Sequence, residues 1–124
     1  MSAVGSTASD TRTAAIDPAT SIGTVRLTVS DLGRSRSFYE QVIGLSKSER
    51  QDGTLAFGVA GERTLLELYG DSSAHSLDRH ATGLYHLAIL VPSRVELAFA
   101  LARLAQARWP LDGASDHLVS EALY

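Results

Sequence analysis

From Ile22 to Val29 the chain reads IGTVRLTV, in which apolar and polar residues alternate. Val25, Leu27 and Val29 fall on one face, and Thr24, Arg26 and Thr28 on the other. That period of two predicts a half-buried β-strand. Ser30 and Asp31 then offer side-chain oxygens to the free N–H groups of a following helix. The helix is expected over Leu32 to Ile43, where Leu32, Ser35, Phe38, Tyr39, Val42 and Ile43 form one stripe at helical spacing. Gly44 is placed to end it. Three short strands are expected near Leu45 to Arg50, Thr54 to Val59 and Thr64 to Tyr69, with turns at Asp52-Gly53 and Ala60-Gly61. The unit therefore reads β-α-β-β-β.

The pattern then restarts. Leu84 to Val91, LYHLAILV, predicts an apolar strand, Pro92-Ser93 a turn, and Arg94 to Ala107, rich in Ala, Leu and Arg, a helix. Val29 superimposes on Val91, and the same offset carries Thr24 onto His86. Such self-similarity indicates two copies of one supersecondary unit. The expected organisation is unit one at 22–70, a linker at 71–82 and unit two at 83–124. By the same offset the partner of Glu67 falls beyond Tyr124. The second unit is thus expected to lack its fourth strand, and the sequence to be a fragment or truncated reading frame. The fold class is α+β: two tandem βαβββ units, the second truncated before its last strand.

Composition narrows the function classes. Hydrophobic residues make up 44% and charged residues 20%, a globular balance, and the 124 residues suffice for one domain. The net charge of -3 gives nucleic acid and acidic membranes nothing to attract them. With no cysteine there is no disulfide, thiolate metal site or cysteine nucleophile, which fits a cytoplasmic protein. No apolar run is long enough to span a bilayer. Residues 1–21 are rich in Ser, Thr, Ala and Asp without an apolar period and lack the layout of a signal peptide, so a disordered leader is expected. Gly58 and Gly61 have no phosphate-loop Lys beside them, Ser35 and Ser37 no nucleophile elbow, and His75 and His80 no helical metal spacing. The helix from Arg94 is expected to pack on a core rather than a membrane.

VRLTVSDLGRSRSFYEQVIGL closely resembles the vicinal oxygen chelate (VOC) superfamily, which includes glyoxalases, bleomycin-resistance proteins and extradiol dioxygenases. Asp31-Leu32, Ser35, Phe38-Tyr39 and Gly44-Leu45 carry the likeness. GLYHLAILVPSR and DGASDHLVSEALY further resemble the amino-terminal half of catechol 2,3-dioxygenases. The resemblance implies a glyoxalase-like domain and a divalent metal held by first- and fourth-strand side chains. In the ring-cleaving branch that metal is Fe(II), with a small aromatic substrate and O2 as partners.

Carried over by position, His86 matches the first-strand ligand of unit two, and Glu67 matches the fourth-strand ligand of unit one. Thr24 stands where unit one would need a His, so the metal set is incomplete. Thr24 and Arg26 remain as substrate-binding candidates on the first strand. His117 corresponds to a group that hydrogen-bonds substrate or oxygen, and Tyr124 to a phenol donor, although a last residue is expected to be poorly held. Ser115 departs from the signature that precedes His117. The leading expectation is part of an extradiol dioxygenase, in a portion that lacks a complete metal site. The alternatives are a bleomycin-resistance-like binding module and a glyoxalase-like lyase. Members of this superfamily commonly pair their units, which implies a homodimer or a second VOC domain as partner.

Overall fold

A computed structural model describes residues 15–60, 63–78 and 80–124. Residues 1–14 of the expected leader lie outside them. Strand β1 (Val25–Val29) is followed by helix α1 (Leu32–Ser37), which runs on as a π-helical segment over Phe38–Ile43. Strands β2 (Ser46–Glu49), β3 (Leu55–Gly58) and β4 (Thr64–Gly70) complete the first unit. They form one four-stranded sheet in the order β1-β4-β3-β2, with β1 parallel to β4 and the other pairs antiparallel. This architecture is the expected α+β arrangement.

The helix starts where the sequence puts its cap: Asp31 Oδ1 accepts the Arg34 N–H at 2.8 Å. It ends at Gly44, whose φ of 89° is a left-handed conformation that L side chains resist. The predicted stripe is correct, since all six of its residues are at least partly buried. The predicted single α-helix is not, because the second half widens to π geometry, a form that inserts one residue into the turn. Gly53, with φ of 80°, makes the turn between β2 and β3.

The core lies between the helix and one face of the sheet. Phe57, Leu66 and Leu68 are its fully buried members, joined by Leu45 and Leu55. Val25, Leu27 and Val29 pack against it from β1, as their alternation predicts.

The second unit departs from expectation. Leu84 to Val91 is no strand: the segment has no ladder partner among the described residues. The physical reason lies in the first unit, where β1 is held by parallel pairing to β4; Leu84 to Val91 has apolar content but no such neighbour. Leu87 still reaches the core, whereas Tyr85 and Leu90 are almost fully exposed.

Helix α2 (Arg94–Gln106) forms as predicted, capped by Ser93 Oγ on the Glu96 N–H at 3.3 Å. It is tied to unit one by Arg103, which donates to the Val42 and Ile43 carbonyls at 3.3 and 3.0 Å and so satisfies the end of the first helix. Trp109 stacks on Phe38 at 4.5 Å, continuing through Tyr39 to Phe57. The packing expected of α2 is partial: Leu104 is buried, while Val95, Phe99 and Leu101 are exposed. A two-stranded hairpin, β5 (Ala114–Asp116) with β6 (Glu121–Leu123), closes the chain. Arg94 pairs with Glu121 at 2.8 Å and joins it to α2.

Candidate functional site

The face of the sheet opposite the helix is built by the polar half of the strand alternation. Register sets Arg26 of β1 directly across from Glu67 of β4, then Ala56 of β3, then Ser48 of β2. Glu67 is the one buried charged residue of the described core, 6% exposed. Burial of a carboxylate is costly unless it is paired, and here both oxygens are paired. Arg26 Nε donates to Oε2 at 2.6 Å, and Arg50 Nη2 contacts Oε1 at 2.5 Å. Arg50 follows β2 and must cross β3 to arrive. Ala56, lying between, has no side chain beyond Cβ to block it.

The hydrogen bond from Arg26 is the main influence holding the Glu67 carboxyl below its ordinary pKa, aided by the charges of both arginines against the opposing cost of desolvation. Because the folded value is the lower one, the stability these pairs contribute is complete above the ordinary carboxylate value, about 4.3. It is lost as pH falls through the depressed one. Around the triad opens a groove of 340 Å³, lined also by Thr28, Asp52, Thr54 and Tyr69. The Asp52 carboxylate, engaged chiefly by the Thr54 N–H at 3.0 Å, is likewise held low.

The remaining candidates fall in other places. Thr24 lies at the edge of the same face and donates its hydroxyl to the Thr64 carbonyl at 2.9 Å. His86 is exposed on the unpaired segment, with the edge of its ring against Tyr85. Among the described residues no three His, Cys, Asp or Glu side chains gather. The hairpin does bring His117 and Tyr124 together. Ser115 Oγ lies 2.8 Å from His117 Nε2 and 3.4 Å from the Tyr124 phenol oxygen. Contrary to expectation, Tyr124 is held, because its backbone pairs with Gly113 and accepts from Asp112. The three groups form an exposed hydroxyl–imidazole–phenol cluster.

The donor set can be tested against a divalent metal. Glu67 offers an oxygen pair already shared between two guanidinium groups, and Thr24 offers only a neutral hydroxyl. These residues do not fit a metal in the first-unit cup. Arg50 is the residue that sequence reading missed. It stands two residues after Ser48, whose position in the row with Ala56 and Glu67 only the strand order and register show.

Comparison with known proteins places this geometry. A catechol-2,3-dioxygenase of Bacillus subtilis is 46% identical over 106 residues, which cover 85% of this chain and 37% of that protein. The chain thus spans well under half the length of this relative. A lactoylglutathione lyase from Agrobacterium tumefaciens superimposes with a TM-score of 0.63 at 20% identity, covering 87% of this chain and 86% of that one. A Vibrio cholerae integron cassette protein does so at 0.59 and 14%, covering 87% and 85%. These two likenesses speak for the fold alone. The family model described as Glyoxalase/Bleomycin resistance protein/Dioxygenase superfamily matches residues 21–124, and the chain belongs to that superfamily.

Proposed function

We propose that this chain is the amino-terminal, non-catalytic portion of an extradiol ring-cleaving dioxygenase of the catechol 2,3-dioxygenase type. Its role is to scaffold the part that binds Fe(II), O2 and the aromatic diol. The 46% identity to the Bacillus subtilis protein supports the dioxygenase assignment. One observation carries the non-catalytic part: both oxygens of Glu67, the candidate ligand of unit one, are engaged by Arg26 and Arg50. A carboxylate so neutralised is a poor donor to a divalent cation.

Elemental analysis of the purified chain should find less than one equivalent of iron or zinc, and catechol should remain uncleaved. Stoichiometric metal that is lost on His86→Ala, or ring cleavage by the chain alone, would overturn the reading. So would a gene that ends at Tyr124. The expected gene continues into an Asp-Pro-x-Gly turn, a Glu and a further pair of units.

A further inference from the structure

We infer that Arg26 and Arg50 occupy at Glu67 the place a divalent cation would take, so that the first-unit cup is a metal-free site whatever ligands a second chain or a longer one brings to it. Three features of the triad lead there. First, a metal bound to Glu67 would sit about 2.0–2.2 Å from a carboxylate oxygen. Arg26 Nε holds one of those oxygens at 2.6 Å and Arg50 Nη2 holds the other at 2.5 Å, so each oxygen already has a positive charge against it, which a cation would have to displace or sit beside. Second, guanidinium groups keep their charge at every accessible pH. Unlike histidine or lysine, they never present a neutral form that would let a cation in. Third, the arrangement is set by the backbone, since Arg26 and Glu67 are direct partners in the β1–β4 ladder. Ala56 and Ser48, the next two positions of that row, bring no strong metal ligand of their own.

The inference is separable from the function proposed above. Metal held through His86 would defeat that reading and leave this one standing.

The test is a Co(II) titration of the intact chain, followed by ligand-field absorption and by the shift in Tm. Three proteins are compared: wild type, Glu67→Gln and Glu67→Ala. All three should give the same isotherm and the same Tm response. Wild-type binding weakened about tenfold or more by either substitution, the usual signature of a lost metal contact, would overturn the inference.

Discussion

Units one and two share a pattern but not a structure. In unit one Val25, Leu27 and Val29 alternate inward, and β4 supplies a parallel ladder of five residue pairs beside them. The offset of the repeat puts Leu87, Ile89 and Val91 in the same roles. Leu87 and Val91 are half-buried and Ile89 is at the margin, 36% exposed, so a trace of the alternation persists. The ladder does not. Apolar alternation turns a segment toward the core, whereas a strand also requires its backbone N–H and C=O groups to be paired. The comparison separates two contributions that most strands receive together.

Hydrogen exchange gives the largest expected contrast. Ladder amides of β4 should open only with global unfolding, whereas amides of 84–91 face water and exchange freely. The protection of Leu68 over Leu90 should therefore reach about five-thousandfold, as global stabilities of ~5 kcal/mol imply. Equal protection would mean that the second segment is paired, and the distinction between the units would collapse. A smaller contrast comes from truncating one apolar side chain in each unit. Leu68 is 0% exposed among Leu55, Phe57 and Leu66, so Leu68→Ala should cost about 3 kcal/mol in chemical denaturation. Ile89→Ala removes a side chain already in contact with water and should cost under about 1 kcal/mol. Similar losses at the two sites would show unit two to be as well packed as unit one.

The same division governs how much of the molecule could be read from its sequence. The first unit was legible because its determinants are local: alternation in β1, the stripe from Leu32 to Ile43, an Asp cap and a Gly stop. The π-helical widening at Phe38 left no mark, since a stripe of that length suits either helix. Leu84 to Val91 carries the pattern of a strand, but forming one depends on a neighbour to pair with, and among the described residues it has none. The candidate site was half legible. Glu67 and Arg26 are conspicuous polar positions in alternating strands. Their pairing with each other, and with Arg50 from two strands away, follows from the order β1-β4-β3-β2, a non-local property. His117 and Tyr124 are seven residues apart in sequence, and it is the hairpin ladder that brings them to a common serine.

The smallest effect asks whether helix α2 unfolds with unit one or apart from it. Asp31 and Ser93 are equivalent caps, at 2.8 and 3.3 Å from the N–H groups they accept. The Asp31 bond is shorter and brings a charge to a helix N-terminus, where the dipole favours it. Asp31→Ala should therefore cost about 1 kcal/mol and Ser93→Ala about 0.5 kcal/mol. The smaller value is informative because of Arg103. Through its bonds to the Val42 and Ile43 carbonyls, and through Trp109 on Phe38, α2 is fastened to the first helix. If that fastening makes the two helices one cooperative body, the loss at Ser93 must appear in the same denaturation transition as the loss at Asp31. A Ser93→Ala chain whose main transition is unmoved, but whose α2 amides exchange faster, would place the boundary of cooperativity between the helices. Arg103 would then be a contact within the native state rather than a strut of the fold.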